Sequence, residues 1–460
     1  MEEKNYLNKS YWLNVQKNEN YPAISDGDNF DVLIIGAGIA GLTTAYLLKD
    51  SGLKVGIIEA TKIGFGTTGY TSAKITIQHG LKYNYLINSF GKEYALQYAI
   101  SNNNAVNLIK HTVEKHDISC DYRTQPAYIY TTKKDEVNEL EKELSAYRDL
   151  NIDAAYVTRS ELPFNIEGAI KLENQAQFHP IKYLYNLSEI IKNSGVNIYE
   201  NTRAIDIKGD NSPFSIITNK GEIVSDIVVI ASHYPFLKGY GMYYMRMHAE
   251  KSYILALKTD NTPFTGMYIN VNDPIYSMRY HFNEDENILL LGGSNHKTGL
   301  KKDERESYLE LETFANEHFE NPQIISKWST QDCMPLDKVP YIGQMAKNVP
   351  NLYVETGFGK WGMTGSTVAA QIISDKILKH DNMNFEIYNP QRFTPKESAS
   401  EFVSNSFSSA GGLAKRVLTI PLRDIKDIRA GEGKIVEYKG NKIGVYKDDS
   451  ENYFGIIPVC

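Results

Sequence analysis

The 460-residue sequence predicts an α/β fold built on a nucleotide-binding βαβ unit, and three observations near its N-terminus carry that reading. An apolar strand, Val32 to Ile35, runs directly into Gly36, Gly38 and Gly41. An apolar helix follows, from Leu42 to Leu48. A second strand, Val55 to Ile58, then ends on an acid, Glu59, with Ala60 after it. Each glycine has its own task in such a unit. Gly36 permits a sharp turn, Gly38 lets backbone approach a pyrophosphate, and Gly41 lets helix pack on strand. The helix N-terminus, around Ile39 and Ala40, offers free N–H groups and a positive dipole end to phosphates. Glu59 accepts hydrogen bonds from a ribose 2′-hydroxyl, whereas its charge repels a 2′-phosphate. A lone G-x-G-x-x-G is weak; one set between strand and helix, with the acid about 20 residues on, is specific.

Composition bounds the rest. A chain of 460 residues holds about two to three domains and can bury a large core. The 42% apolar and 23% charged content is ordinary for a globular protein, and the net charge of −7 argues against a nucleic-acid partner. Cys120, Cys333 and Cys460 are too few and too far apart for a disulfide framework, which points to a reducing cytoplasm. The N-terminus, Met-Glu-Glu-Lys-Asn-Tyr, lacks the apolar segment of a signal peptide, and no apolar run approaches the ~18 residues of a membrane span. The expectation is a soluble cytoplasmic protein.

Taken in order, residues 1–28 are polar and aromatic and read as a surface arm. After the βαβ unit comes Gly64-Phe-Gly-Thr-Thr-Gly-Tyr-Thr-Ser-Ala-Lys74, a loop of small and hydroxylated residues that other atoms can approach closely. Apolar spacing predicts helices over 91–117, 134–150 and 304–320. The run Asp226 to Ala231 suits a buried parallel strand, and 251–296 reads as antiparallel strands. A second glycine cluster, Thr356-Gly-Phe-Gly-Lys-Trp-Gly-Met-Thr-Gly-Ser-Thr367, precedes an apolar helix expected from about Val368 to Leu378. Residues 394–412 read as a linker, and 415–460 as a small β segment with a hairpin signal at Lys439–Lys442.

The βαβ unit alone does not separate NAD from FAD. Two features favour FAD: no second G-x-G-x-x-G exists for a nicotinamide nucleotide, and the late glycine loop would bring a second helix N-terminus to the far end of a long ligand. A helix N-terminus beside a flavin stabilises the negative charge of its reduced form.

From about residue 30 to 380 the chain resembles the D-amino-acid oxidase-like FAD-dependent oxidoreductases. More narrowly, it resembles the branch carrying a C-terminal Rieske [2Fe–2S] domain. The matching blocks are Thr67–Thr76 with Gln78-His79, Phe178-His-Pro180, Trp328–Asp332, Pro335-Leu-Asp337, Pro340–Gly343 and Thr356–Thr364. The resemblance implies a Rossmann-like, p-hydroxybenzoate-hydroxylase-like FAD-binding domain (29–90, 170–240 and 328–392) interleaved with a mixed-sheet substrate domain (91–169 and 241–327). An arm (1–28), a linker (393–413) and a partial Rieske-like β segment (414–460) complete the expected organisation. By position, Gly36, Gly38, Ile39, Ala40, Gly41, Glu59 and Ala60 would hold the ADP half of FAD, with Ala204 at the adenine. Thr67, Thr68, Ala73 and Lys74 would follow the ribityl chain and ring. Gly357, Lys360, Trp361, Gly362, Met363 and Thr364 would face the pyrimidine side. Cys460 falls where the first cluster ligand of the Rieske domain would be, without the other three ligands, so a [2Fe–2S] cluster is expected only in a full-length relative and no metal in this chain.

The expected activity is FAD-dependent oxidation of a small amine or amino-acid-like donor by hydride transfer to flavin N5, with the electron acceptor open. The alternative is a flavin-binding protein with little turnover because its Rieske electron exit is incomplete. An NAD-dependent dehydrogenase and a nucleic-acid-modifying flavoprotein are disfavoured by the single βαβ unit and the acidic charge. If the donor carries a carboxylate, Arg279 is the candidate to pin it, since alternation puts Ser277, Arg279 and His281 on one strand face. Lys360 is the candidate for tuning the flavin. His79 is a candidate for covalent attachment, although a hydrogen-bonded structural histidine is commoner. His179, before Pro180, reads as shaping a turn; Tyr243, Tyr244 and Tyr253 are candidates for lining the pocket, and Cys333 reads as buried and inert.

Overall fold

The computed structural model describes residues 8–15, 20–237, 240–271, 273–283, 286–300, 303–380, 385–392, 394, 425–430, 432–438, 441–448 and 450–456. They fall in two units, 1–399 and 400–460. The first unit opens with β1 (Asn29–Ile35), α1 (Ile39–Leu48) and β2 (Val55–Ile58), the expected βαβ unit. Then come β3 (Lys74–Ile75), α2 (Tyr83–Phe90), α3 (Lys92–Lys115), β4 (Arg123–Thr131), α4 (Val137–Asp149), β5 (Ala154–Val157) and β6 (Gly168–Gln177). The chain continues through α5 (Pro180–Asn193), β7 (Asn197–Tyr199), β8 (Ala204–Lys208), β9 (Phe214–Thr218), β10 (Gly221–Ile230) and α6 (Tyr243–Arg246). It proceeds with β11 (Met247–Lys258), β12 (Met267–Asn270), β13 (Tyr276–Phe282), β14 (Asn287–Lys297) and α7 (Arg305–His318). β15 (Gln323–Pro335), β16 (Tyr341–Ala346), β17 (Val349–Thr356), α8 (Gly362–Leu378) and α9 (Phe385–Tyr388) complete it.

Two sheets organise these elements. The first has the order β16-β17-β10-β1-β2-β7, with β8 and β9 continuing from β10. Its centre is parallel: β1 pairs β2 on one edge and β10 on the other, and β10 pairs β17. Helices α1, α5 and α8 pack together beside it, so Val32 to Ile35 are buried on both faces. That double burial is why β1 and the end of β10 read as unbroken apolar runs instead of alternating ones.

The second sheet is mixed, with the order β15-β11-β14-β13-β12-β4-β6-β3 and β5 on β6. β12 and β4 run parallel while β11, β13, β14 and β15 are antiparallel to their neighbours. β6 and β15 cross the segment limits set at 170 and 328, and β3 comes from within 29–90. The register places Ser252 opposite Thr330 and Glu250 opposite Asp332.

Two expectations need correction. The arm is not a surface feature at its aromatic positions: Trp12 is fully buried, and Tyr21 and Ile24 join hydrophobic clusters. Trp12 Nε1 donates to the Thr71 carbonyl at 2.6 Å, and the ring lies edge-on to His179 and His281. An indole has enough apolar area to anchor a polar segment, which average polarity along 1–28 conceals. α8 begins at Gly362, not near Val368. Its first turns are glycine and hydroxyl residues, which read as loop but pack closely; a Cβ on Gly365 would lie 3.1 Å from the Phe358 ring.

In the second unit, β18 (Glu432–Tyr438), β19 (Asn441–Lys447) and β20 (Tyr453–Ile456) form an antiparallel meander. Its described buried apolar residues are Ile428, Val436 and Val445. Most of the expected linker, and Cys460, lie outside the described residues.

Candidate active site

The glycine loop is tight for a physical reason. Gly36 adopts φ +115°, and a Cβ there would lie 2.6 Å from the Ala231 carbonyl oxygen. A Cβ on Gly41 would lie 2.0 Å from the Gly36 carbonyl oxygen, so only glycine lets α1 sit this close to β1. The Ala37 N–H donates to Glu59 Oε2 at 3.0 Å and the Thr61 N–H to Oε1 at 2.9 Å, fixing the acid at the end of β2. The Ile39 N–H donates to Thr68 Oγ1 at 3.3 Å. Apart from that bond, the N-cap residues themselves, Gly38 of α1 and Trp361 of α8, give their helices no side-chain cap.

Both helix ends open onto one cavity of about 360 Å³. Gly36, Gly38, Ile39, Ala40, Glu59 and Ala60 line it at one end, and Gly66 to Thr68, Thr71, Ser72 and Lys74 along its length. The segment Phe358 to Met363 also lines it, with Lys360 held at φ 73°, a conformation that a non-glycine residue adopts only when its surroundings impose it. The remaining wall is the second sheet: Ser252, Tyr253 and Ile254 of β11, Ile269 of β12, Ser277 of β13, Gly292, Gly293 and Asn295 of β14, and Thr330 and Asp332 of β15. Ala231 to His233, following β10, complete that end.

Of the residues named from the sequence, Gly41, Ala73, Ala204, Gly357 and Thr364 do not line the cavity. Gly41 shapes the loop from behind. Ala73 is buried at φ 54°, Ala204 starts β8, and Thr364 lies inside the first turn of α8. Arg279 is buried away from the cavity: its Nε donates to the Ser72 carbonyl at 2.6 Å, Nη1 donates to Gln177 Oε1, and the guanidinium lies over the Trp12 ring. It therefore supports the Ser72 loop from below. Tyr253 lines the cavity, whereas Tyr243 is buried against Tyr341 and Tyr244 is exposed. Both ring nitrogens of His79 are occupied, Nδ1 by Tyr98 Oη at 2.7 Å and Nε2 by the Thr76 carbonyl at 2.7 Å. Burial pushes the His79 pKa down to about 3, and the ring stacks on Trp361. His79 is thus a satisfied structural histidine that orients a cavity-lining indole. His179 caps α5, its Nδ1 accepting the Lys182 N–H at 3.3 Å.

The charged groups at the cavity are unevenly committed. Lys74 Nζ donates to the Tyr268 carbonyl at 2.7 Å and to Ser277 Oγ at 2.6 Å. Burial, with Arg279 nearby, holds its pKa well below the usual lysine range. Lys360 Nζ is 2.7 Å from Glu250 Oε2. Burial alone would raise Glu250, but hydrogen bonding to His248 and the Lys360 charge hold it at about 2. Asp332 goes the other way: burial pushes it up to about 6, only partly offset by Lys360. The wall residues Ser252, Thr330 and Asp332 were not assigned a site role from the sequence. Thr330 and Asp332 fall in the matching block Trp328–Asp332, and all three follow the alternation along β11 and β15, which identifies shared faces without saying what those faces meet.

A helix N-terminus behind a glycine loop, a second helix N-terminus and a polar sheet wall thus line one cavity, an arrangement of the kind that can take a dinucleotide-type ligand. The chain belongs to the FAD dependent oxidoreductase (DAO) family, whose model matches residues 31–376, and FAD is its cofactor. A Bacillus subtilis (strain 168) protein, YhfW, which bears the name of a Rieske 2Fe-2S iron-sulfur protein, is 37% identical over 442 residues, covering 96% of this chain and 87% of its own. The gamma-glutamylputrescine oxidoreductase of Escherichia coli (strain K12) is 21% identical over 393 residues, covering 82% of this chain and 90% of its own. The crystal structure of glycine oxidase from Geobacillus kaustophilus superposes with a TM-score of 0.67 at 18% identity, covering 80% of this chain and 99% of that one, a likeness of fold. The chain is thus an FAD-dependent oxidoreductase of the amine or amino-acid oxidase type. Among the described residues, no group of three or more His, Cys, Asp or Glu side chains could hold a metal ion, and no helix is long and apolar enough to cross a membrane.

Proposed function

We propose that the protein oxidises a small amine or amino-acid-like donor in the cavity between the glycine loop and the second sheet. The observation that carries this is the continuity of that cavity, from the α1 N-terminus and Glu59 to the wall formed by Ser252, Thr330 and Asp332. Gly36, Gly38, Ile39, Ala40 and Glu59 would hold the ADP half of FAD, and Thr67, Thr68 and Lys74 would follow its ribityl chain. Lys360 to Met363 would sit at the pyrimidine side, beside the positive end of α8. The chemistry that FAD would supply there is that of a hydride acceptor for the C–H bond next to the unprotonated donor nitrogen. The chain's part is orientation and exclusion of water: the wall fixes the donor, and Ile254, Ile269, Phe358 and Trp361 supply apolar surface around it. A strong base is not required for that task.

The test is the visible spectrum of the purified protein before and after boiling, followed by anaerobic mixing with amines and N-substituted amino acids. The expected result is flavin absorbance that leaves with the supernatant and is bleached by a donor. A protein that takes up no FAD would refute the reading. Full FAD occupancy without bleaching by any donor would favour the binding-only alternative.

A further inference from the structure

The charged and hydroxyl groups along the second-sheet wall of the cavity are unevenly partnered. A carboxylate-bearing donor needs a fixed, available positive group, and among the described residues no arginine lines the cavity. Its two lysines are both engaged. Lys360 is paired with Glu250, and Lys74 gives two hydrogen bonds to Tyr268 and Ser277 while burial works against its charged form. Asp332 is the opposite case. Its side chain lines the cavity, and no described residue gives it a hydrogen bond or ion pair, because the nearest cation, Lys360, is spent on Glu250.

Two more groups at the same place lack partners. Ser252 and Thr330 face each other across β11 and β15, and both line the cavity. Ser252 Oγ and Thr330 Oγ1 are buried and have no hydrogen-bond partner. Thr330 and Asp332 are two residues apart on one strand and so share a face, about 7 Å apart along it. Unpaired buried hydroxyls are unfavourable unless a ligand satisfies them. An ammonium group carries N–H donors only, and a carboxylate with two hydroxyl oxygens offers it acceptors.

We propose that Asp332, with Ser252 and Thr330, binds the ammonium group of a cationic amine donor and takes its excess proton before the neighbouring C–H bond is oxidised, making amines without a neighbouring carboxylate the preferred substrate class. This rests on the oxidase reading above and narrows it. An α-carboxylate at this wall would face Asp332, with both described cavity lysines already engaged.

The test separates binding from turnover. The FAD-loaded protein and its Asp332→Asn variant are titrated with three probes, tetramethylammonium chloride, methylammonium chloride and sodium acetate, and binding is followed by perturbation of the flavin spectrum and by calorimetry. Tetramethylammonium reads charge alone. Methylammonium, which has N–H donors, reads charge and hydroxyls together in the same titration. The wild type is expected to bind both cations more tightly than acetate. Asp332→Asn weakens both cations by about ten- to hundred-fold and leaves FAD content unchanged. Thr330→Val weakens methylammonium several-fold more than tetramethylammonium, and it carries the test if Asp332→Asn fails to hold FAD. Cation affinities unchanged in these variants, or acetate bound more tightly than either cation by the wild type, would overturn the proposal. Failure of every donor to bleach the flavin, with cation binding intact, would instead count against the oxidase reading alone.

Discussion

Glu355 lies on β17 beneath α1, is almost completely buried, and reaches Thr44 Oγ1 with its Oε1 at 2.7 Å. The same Thr44 hydroxyl is 3.0 Å from the Ala40 carbonyl, one turn back in the helix. A hydroxyl has one proton. Thr44 can therefore donate to only one of these two oxygens at a time, which limits how far it stabilises an ionised Glu355. Burial pushes the Glu355 pKa up to about 8 from the ordinary 4.5, with the Thr44 contact opposing the rise. The folded state therefore keeps a proton that the unfolded chain releases. Stability from this site is fully present below about pH 4.5 and falls as pH rises through about 8. At about 1.4 kcal/mol per pH unit the whole loss is on the order of 5 kcal/mol, an upper figure because the buried site can relax. The Glu355→Gln variant keeps the shape and an N–H donor toward Thr44 but cannot ionise. Its melting temperature, relative to wild type, should climb between about pH 5 and about pH 8 and then level off. For a unit of 399 residues that climb is about 5 °C. Scanning calorimetry of both proteins across this range is the assay. Parallel curves, or a variant that loses ground as pH rises, would refute a neutral Glu355.

Gly41→Ala places a Cβ 2.0 Å from the Gly36 carbonyl oxygen, so α1 must move away from the loop, and the purified protein should lose most of its flavin absorbance; stoichiometric FAD would contradict the packing argument. Arg392 binds the buried Asp337 carboxylate at 2.7 and 2.9 Å, and Arg392→Met strands that charge. A cost of about 3–5 kcal/mol is expected in denaturant melts, with part regained in the Arg392→Met, Asp337→Leu double variant. Burial raises the thiols of Cys120 and Cys333 to about 12, so in a Cys460→Ser background neither should react with an aromatic disulfide reagent at neutral pH until the protein unfolds. Rapid labelling of the folded protein would show that one of them is accessible.

The sequence by itself determined the βαβ unit and its glycine turn. Val32 to Glu59 specify strand, glycine turn, helix, strand and acid within thirty residues, and the contacts that make the turn work, such as Gly36 with Gly41 and Ala37 with Glu59, are local. Short-range geometry of that kind survives in a linear pattern. Helices α3, α4 and α7 were legible for the same reason, since each advertises its own period, whereas α5 was not read as a helix. What the tertiary structure decided is the substrate end. Ser277 and Arg279 share a strand face by alternation, yet Ser277 reaches the cavity while Arg279 is held under the Ser72 loop by Trp12 and Gln177. Trp12 comes from a segment whose composition reads as surface. Ser252, Thr330 and Asp332 meet because β15 and β11 pair as neighbours across some eighty residues of chain, and Lys74 reaches Ser277 across two hundred. A period of two says which side chains share a face of a strand. Only the order of strands in the sheet, and the loop packed over it, says which of those faces meets the ligand.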